Sequence, residues 1–301
     1  MVDQVLITDV VLRDGLQDEP ITVSTEDKLG LARGLIDAGL ASLEIGSFVH
    51  PGKVPQMADA DKLVARLSGA PATLHTLVFN AHGARRAVAS GARHSRLVVS
   101  ASDGHSQANA GLGTFAALDR LTETAEVLRV GGVQLEACIA TAFTCPFDGE
   151  TDPARTARVA DRLVALGAQV VHLADTSGAA NPSQVARTIT AVRDRHPGLP
   201  VGLHLHNTYG MASASAWQAI QLGIARFDAS LGGIGGCPFA PGASGNIATD
   251  DLVNMLHKEG ISTGIDVGKL TIVRDRLATV VGHRLPSALA AVPAAPAPLR
   301  R

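Results

Sequence analysis

Residues 170–206 read VVHLADTSGAANPSQVARTITAVRDRHPGLPVGLHLH, a stretch with two short apolar runs on either side of a longer helical pattern. The runs at about Val170–Ala174 and Val201–Leu205 predict two buried strands. Between them, Pro182–Arg195 has the pattern of a helix. Strand, helix and strand in this order predict one unit of a parallel α/β sheet.

The same unit recurs along the rest of the chain. Further strands are predicted at about Val5–Val10, Ser42–Ile45, Ala72–Val78, Ser95–Ser100, Gln134–Ile139 and Arg226–Ser230. Further helices are predicted at about Thr25–Ala38 (with Ser24 or Thr25 as cap), Gln56–Leu67, Ala81–Ser90, Thr114–Val130 (after a long loop), Asp152–Leu166, Met211–Gln221 and Ala248–Glu259. Eight strand–helix pairs with strands buried on both faces predict an α/β fold of the closed (β/α)₈ type, a TIM barrel.

An open, doubly wound sheet is the main alternative to a barrel. Such sheets usually begin with a glycine-rich phosphate-binding turn after the first strand, whereas residues 12–16 read LRDGL, with a single glycine. The count of eight units also favours the barrel. After Gly260 the pattern is again helical, so we expect short additional C-terminal helices within a single domain of residues 1–292. Residues 293–301 form an Ala/Pro-rich tail that we expect to be disordered.

The composition argues against several classes of function. The 26 basic residues are balanced by 28 acidic ones, so binding to nucleic acid has no electrostatic support. Three cysteines, Cys138, Cys145 and Cys237, cannot form a disulfide framework and suit a reducing compartment. No apolar run reaches membrane-spanning length, and the N-terminus has no basic segment leading into an apolar one. We therefore expect a cytoplasmic protein that binds neither nucleic acid nor membranes.

Polar residues recur where the predicted strands end, the face on which TIM barrels place their chemistry. They are Arg13 and Asp14 after the first strand, Glu44 at the end of the second, Asp175 after the sixth, His204 and His206 at the end of the seventh, and Cys237 and Asn246 in the segment after the eighth. We expect these side chains to meet at one end of the barrel.

His204 and His206 give the sharpest local signal. Residues two apart on a strand project to the same face, so both imidazoles can reach one ion. Two histidines that merely hydrogen-bond near the rim are the alternative. Asp14 and Asn246 would add oxygen ligands, and nitrogen and oxygen donors without sulfur favour Mg²⁺ or Mn²⁺, while Zn²⁺ and Co²⁺ stay open.

The other polar residues at this rim allow two interpretations each. Arg13 could form a surface ion pair with Asp14 or serve as a fixed cation for a developing oxyanion. Glu44 and Asp175 could accept hydrogen bonds from loop amides or belong to an active site.

Residues 232–246 read GGIGGCPFAPGASGN. Packing alone does not call for so many glycines, so we expect a loop that is flexible or approaches a ligand closely. Cys237 within it could be a passive small residue or a donor or acceptor of a proton. Cys138 and Cys145 fall on a strand and at the rim, and neither is assigned a catalytic role.

These residues lie within motifs that resemble the 3-hydroxy-3-methylglutaryl-CoA lyases of the metal-dependent lyase and Claisen-condensing barrel superfamily. The resemblance spans roughly residues 7–270. Its motifs are RDGLQ at 13–17, SFV at 47–49, VPQM at 54–57, DT at 175–176, HLH at 204–206, TYG at 208–210, GGCPFA at 235–240, GASGN at 242–246 and ATDDLV at 248–253. The cysteine loop is specific to the lyases, whereas the Arg-Asp and His-X-His motifs are shared with the condensing enzymes.

The resemblance implies a function for each matched position. It implies metal ligands at Asp14, His204, His206 and Asn246, and catalytic roles for Arg13, Cys237, Glu44, Asp175 and His204, with Gln17 and Arg13 in the substrate pocket. It also implies a homodimer that takes a small-molecule acyl-CoA substrate. The implied reaction is a retro-Claisen cleavage of 3-hydroxy-3-methylglutaryl-CoA, or a close analogue, to acetyl-CoA and acetoacetate, with Mg²⁺ or Mn²⁺.

The chain departs from the family pattern around this set of residues. Leu12 and Asp18 replace proline and asparagine, Asn207 replaces aspartate, and Ala174 replaces a glycine. Residues 50–53 and 141–145 also differ. Such changes alter the pocket walls, so the acyl group stays open. The alternatives are a related lyase or aldolase for another hydroxyacyl-CoA or hydroxy-keto acid, a condensing acyltransferase, and a barrel that binds without catalysis.

Overall fold

A computed structural model describes residues 2–236 and 245–292. The strands of its main sheet are β1 Leu6–Asp9, β2 Ser42–Ser47, β3 Thr73–Val78, β4 His94–Ser100, β5 Gln134–Ala140, β6 Val171–Asp175, β7 Val201–Leu205 and β8 Arg226–Ala229. Each is parallel to the next along the chain, and β8 pairs with β1 from Leu6 opposite Arg226 to Asp9 opposite Ala229. The predicted TIM barrel is confirmed, and the closure of β8 onto β1 rules out an open sheet.

Helices alternate with the strands around the outside of the barrel. They are α1 Thr25–Asp37, α2 Ala60–Leu67, α3 Ala81–Ser90, α4 Asp103–Ala110, α5 Thr114–Val130, α6 Pro153–Ala165, α7 Pro182–Arg195, α8 Ala212–Gln221, α9 Thr249–Lys258 and α10 Val267–Val281. Ser24 caps α1, because its side chain accepts a hydrogen bond from the amide of Asp27. The last helix and a short turn at Leu289–Ala291 are the expected C-terminal additions.

Two predicted connections were wrong, and one short hairpin was not predicted. The long loop before Thr114 contains α4, whose sequence DGHSQANA lacks an apolar period and buries only His105 and Ser106. The helix expected from Gln56 is a 3₁₀ turn, Pro55–Met57, followed by α2. The chain bends between them at Asp59, which is not helical and binds Lys28 on α1. A two-residue hairpin joins Thr144–Cys145 to Gly149–Glu150, too short to leave a period in the sequence.

The apolar core lies between the barrel and its helices, whereas the barrel interior is charged. Leu43 and Leu173 face outward from their strands and are fully buried against the helices. Charged and imidazole side chains, including Arg96, Asp228 and His172, fill the inside and are equally buried. Such an interior needs pairing, because an unpaired buried charge is costly. Within the described residues, no helix is both long and apolar enough to cross a membrane.

Candidate active site

Arg13 and Asp14 lie on a single π-helical turn, Val11–Gly15, directly after β1. The amide of Gly15 donates to the carbonyl of Val10, five residues earlier, at 3.2 Å. π-Helical turns are rare in proteins overall, and those that occur are often found at functional sites. The sequence indicated only that these residues follow the strand; the turn holds both side chains against the barrel mouth.

Three side chains meet above the barrel interior. The Nε2 atoms of His204 and His206 are 3.2 Å apart. The Oδ2 atom of Asp14 lies 3.8 Å from the first and 3.7 Å from the second. All three residues are buried, and these atoms are spaced as ligands of one ion would be. The two imidazoles lie side by side as expected, although β7 ends at Leu205 and His206 follows it in an isolated bridge to Asn246.

Asn246 completes the group from the far side of the glycine-rich segment. Its Nδ2 donates to Oδ2 of Asp14 at 2.7 Å. Its Oδ1 is buried and has no hydrogen-bond partner among the described residues. A buried acceptor without a donor is costly, and a cation held by Asp14 and the two histidines would satisfy this oxygen. The donor set of nitrogen and oxygen therefore fits a divalent metal ion.

The charge of the barrel interior supports the same conclusion. One network of ion pairs joins two arginines, Arg13 and Arg96, to four carboxylates: Asp14, Glu44, Glu136 and Asp228. With neutral imidazoles this buried network has two more negative than positive charges. A divalent cation would neutralise it.

Arg13 is clamped between two carboxylates. Its Nε donates to Glu44 and its Nη1 to Asp14. Burial opposes the charged guanidinium, but these carboxylates raise the pKa of Arg13 further above its usual range. Burial would likewise raise the pKa of Asp14, but Arg13, then His204 and His206, hold it at about 2. Both groups are therefore charged at neutral pH and fixed in direction.

The position of Glu44 differs from the prediction. It was expected at the end of the second strand, but β2 continues to Ser47, and Glu44 lies mid-strand with its side chain fully buried inside the barrel. From there it pairs with Arg13, and its Oε1 lies 3.7 Å from Nη1 of Arg96. The last two residues of this strand were not predicted, because Gly46 and Ser47 do not continue the apolar run that marks residues 42–45 as a strand.

Asp175 ends β6, and its carboxylate organises the following loop. It accepts hydrogen bonds from the amides of Ala179 at 3.2 Å and Ala180 at 3.0 Å. Burial raises the pKa of Asp175 to about 6, against the lowering effect of these amides. Asp175 therefore accepts hydrogen bonds from loop amides, one of the two interpretations that the sequence allowed. Its neighbours Ala174 and Thr176 line the cavity described below.

The described ends of the glycine-rich segment are tightly packed. Gly235 has φ +113°, and a Cβ there would lie 2.6 Å from Nδ2 of Asn246. A Cβ on Gly245 would lie 1.9 Å from the carbonyl oxygen of Gly233. We expected that packing would not require so many glycines in this segment. At its two described ends this expectation was wrong, because a side chain at Gly235 or Gly245 would clash with its neighbours. Cys237 lies outside the described residues, as does the tail at 293–301.

A cavity of about 180 Å³ opens beside the three candidate ligands. It is lined by Arg13, Asp14, Gln17, Glu44, His204 and His206, all predicted site residues. Residues without a predicted role also line it: Arg96, Cys138 and Asp228 from strands, and His105 and Asn109 from α4. Burial raises the pKa of the Cys138 thiol to about 12, so it lies in the wall as a neutral group.

The charged residues among them left a signal in the sequence. Arg96 is the one charge in SRLVVS, and Asp228 lies between apolar Phe227 and Ala229 in RFDAS, so each places a charge inside a predicted buried strand. A charge in such a run points into a polar interior. The residues on α4 left none, because that helix was not predicted.

The family model described as HMGL-like matches residues 4–277. The chain belongs to the HMGL-like family. This HMGL-like protein is 43% identical over 296 residues to the (R)-citramalyl-CoA lyase of Chloroflexus aurantiacus, covering 95% of this chain and 93% of that one. It is 37% identical to the hydroxymethylglutaryl-CoA lyase YngG of Bacillus subtilis, covering 94% and 95%.

A solved relative shows the same fold with a ligand. The structure of an HMG-CoA lyase from Acinetobacter baumannii in complex with coenzyme A and 3-methylmalate matches with a TM-score of 0.90 and 38% identity, covering 98% of both chains. The resemblance seen in the sequence is thereby confirmed. The HMGL-like protein is an enzyme, a carbon–carbon lyase.

Proposed function

We propose that the protein is a divalent-metal-dependent retro-Claisen lyase that cleaves 3-hydroxy-3-methylglutaryl-CoA, or a close analogue, to acetyl-CoA and a 2- or 3-keto acid. One observation carries this proposal. Asp14, His204 and His206 bring three ligand atoms within 4.8 Å of one another, and the Arg13 guanidinium lies in the same cavity wall.

Asp14, His204, His206 and Asn246 would hold the metal ion, with Mg²⁺ or Mn²⁺ the best match to their donors. When bound, the ion supplies a Lewis acid and a template for the substrate hydroxyl and carboxylate oxygens. Arg13 contacts Asp14 directly, so the site for the substrate hydroxyl and the guanidinium have a fixed relation.

The cleavage moves one proton and one electron pair. The tertiary hydroxyl gives its proton to a base of this rim, which is Asp14 or His204, or Asp175 through a water molecule. The bond between C2 and C3 breaks, C3 becomes the ketone carbon of the keto acid, and the electron pair passes through C2 to the thioester oxygen as an enolate. Arg13 stabilises that oxyanion. Because Glu44 and Asp14 already fix the direction of the guanidinium, little reorganisation energy is needed during the reaction.

The enolate then needs a proton at C2 to become acetyl-CoA. We assign this to the Cys237 thiol, on the basis of its place in the lyase-type cysteine loop. Gly236, the last described residue before it, lines the cavity. Excluding water matters at this step, because a free enolate would otherwise be quenched at random.

A second cavity of about 470 Å³ supports an acyl-CoA as the substrate. It adjoins the first, since Phe79, Val98 and Asn109 line both. Lys53 and Arg120 also line it and supply positive charge for the phosphates of coenzyme A. The relative from Acinetobacter is described in complex with coenzyme A, in agreement with this proposal.

The second candidate substrate is (R)-citramalyl-CoA, favoured by the relative of that name at 43% identity. The two thioesters share the tertiary alcohol, the methyl group and the bond that breaks. They differ in one methylene between the carbinol carbon and the carboxylate. Cleavage of citramalyl-CoA would therefore release pyruvate in place of acetoacetate, with the same residues in the same roles.

One assay tests the reaction and separates the substrates. The enzyme is incubated with each thioester in Mg²⁺, in Mn²⁺ and in excess chelator, and acetyl-CoA, acetoacetate and pyruvate are measured. We expect metal-dependent acetyl-CoA release, and the thioester with the higher kcat/KM is the substrate. No release from either, by a protein shown to bind Mn²⁺, would contradict both substrates and leave other hydroxyacyl thioesters and free hydroxy-keto acids to be tested.

We also propose a cytoplasmic homodimer. The support is the free thiols of Cys138 and Cys145, which suit a reducing compartment, and the family resemblance for the dimer. Light scattering coupled to gel filtration tests the second point: a mass of twice 31.0 kDa is expected, and a mass of one chain would contradict it.

A further inference from the structure

Asp228 lies on β8, directly beneath the candidate metal ligands. Its Oδ2 is 3.3 Å from Nδ1 of His204 and 2.8 Å from Nη1 of Arg96. Asp228 and Arg96 are both 2% exposed. No ligand atom of the candidate metal site belongs to either residue, and Asp228 contacts that site through His204.

The direction of the hydrogen bond to His204 follows from the charge on Asp228. Nη1 of the Arg96 guanidinium donates to Oδ2 of Asp228 at 2.8 Å, a buried ion pair in which the carboxyl group is ionised. An ionised carboxylate only accepts hydrogen bonds. Nδ1 of His204 therefore carries the proton and donates it to Asp228. In the neutral imidazole that binds a metal, this leaves the lone pair on Nε2, the atom that faces Asp14 and His206.

His206 shows that this arrangement is particular to His204. Its Nδ1 is also buried but has no hydrogen-bond partner among the described residues. The two histidines are two residues apart and face the same way, yet of the two only His204 has a carboxylate behind it in the described part of the chain. Among these residues, a side chain therefore fixes the tautomer of His204 but not that of His206.

Arg96 holds Asp228 in place through the rest of the barrel interior. Its Nε donates to Glu136 at 2.9 Å, and its Nη2 lies 3.2 Å from Nε2 of His172. The guanidinium is therefore anchored from β5 and β6 while it binds Asp228 on β8. Gly202 on β7 makes room for this packing, because a Cβ there would lie 2.6 Å from Nδ1 of His172.

We propose that Asp228 is a positioning residue that fixes the tautomer and direction of His204 for metal binding, and that Arg96 holds Asp228 in place for this task. The inference rests on the metal site of the proposed function. Carboxylates that accept from the distal nitrogen of a ligating histidine fix its ring and raise its basicity, and their loss typically weakens metal affinity by about 10- to 100-fold.

The test compares two carboxylate-to-amide changes on the same arginine. Asp228→Asn removes the charge that accepts from His204. Glu136→Gln is the matched control: Glu136 also pairs with Arg96 and is 8% exposed, but it contacts Arg96, His75 and His172 rather than His204. Both variants lower the interior negative charge by one and keep the side-chain size.

The readout is the dissociation constant for Mn²⁺ alone, from the free-ion electron paramagnetic resonance signal, with circular dichroism to show that each variant is folded. We expect Asp228→Asn to raise this constant at least tenfold and Glu136→Gln to change it less than threefold. Mn²⁺ binding by Asp228→Asn at the parent affinity would overturn the proposal. An equal loss in both variants would also overturn it, because the cause would then be interior charge in general.

The parent protein provides a test that does not depend on folding of a variant. In ¹⁵N-histidine-labelled, Mg²⁺-loaded protein, we expect a slowly exchanging N–H resonance from Nδ1 of His204, assigned by its absence in His204→Gln. A proton on Nε2 instead would overturn the proposal. A parent that binds no Mn²⁺ would contradict the proposed metal site itself, a result distinct from parent-like binding by Asp228→Asn.

Discussion

Replacing Arg13 with methionine removes the charge that we assign to the enolate while keeping an unbranched apolar stem of three atoms beyond Cβ. The loss of one donor aimed at a developing oxyanion typically costs about 10²- to 10³-fold in kcat, or about 3–4 kcal/mol. A second cost falls on folding. Glu44 is fully buried and would lose Arg13 as its partner, and breaking a buried ion pair on one side costs about 3–5 kcal/mol.

These two costs can be separated with the double variant Arg13→Met/Glu44→Gln. The amide removes the Glu44 charge, which Arg96 alone would then offset, whereas Asp14 still lacks Arg13, so we expect the free energy of unfolding to recover part of its loss. Turnover should not recover, because the cation is still absent. The measurements are kcat with saturating substrate and metal, and urea unfolding followed by circular dichroism, on the parent, both single variants and the double variant.

Two results would refute this reasoning. If Arg13→Met retained kcat within threefold of the parent, Arg13 would not stabilise the transition state. If the double variant recovered turnover along with stability, the defect of Arg13→Met would lie in folding and not in chemistry. Arg13→Lys serves as the charge-retaining control, and since one ammonium cannot reproduce the two directed contacts to Glu44 and Asp14, we expect only partial activity.

Three further predictions follow from the site and its surroundings. His206→Ala should abolish turnover while the melting temperature without metal changes little, and global unfolding of this variant with Mn²⁺ present would count against the assignment. Cys237→Ser should bind substrate almost as the parent does but turn over far more slowly; parent-like kcat would remove Cys237 from the mechanism. Burial raises the pKa of Asp9 to about 7, despite hydrogen bonds from Thr249 and Val11, so the folded state binds this proton more tightly than the unfolded state. The contribution of protonated Asp9 to the free energy of unfolding is then full below about pH 4 and is lost as the pH rises through 7. The free energy of unfolding of Asp9→Asn, measured by urea unfolding, should therefore exceed that of the parent by up to about 4 kcal/mol at pH 8 and equal it at pH 4. A difference that does not depend on pH would contradict the raised pKa.

The helices and strands that have a regular apolar period in the sequence were predictable from it. Pro182–Arg195 and Val201–Leu205 have the predicted bounds, because an amphipathic helix and a buried strand each leave their own period. Helix α4 was missed for the same reason: DGHSQANA has no such period. The π-turn at Val11–Gly15 was missed because it depends on hydrogen bonds from Gly15 back to Val10, which no residue type in the turn requires.

The site divides in the same way. His204 and His206 were found because they are two positions apart at the end of one strand, where local extended geometry alone relates their side chains. The partnership of Asp228 with Arg96 joins residues 132 positions apart. It depends on how far each strand is staggered against its neighbours and which side chains fill the barrel interior. A single charge in an apolar run marks each residue as unusual but does not say which charges meet.

The central claim is that a metal held by Asp14, His204 and His206 is needed to break the carbon–carbon bond. The most direct measurement is acetyl-CoA release from 3-hydroxy-3-methylglutaryl-CoA and from (R)-citramalyl-CoA, before chelation, after removal of metal, and after Mg²⁺ is added back, with His206→Ala alongside. We expect release by the parent to stop on chelation and return with Mg²⁺, and no release by the variant at any stage. Undiminished release from a parent shown by mass spectrometry to hold no metal would contradict the claim.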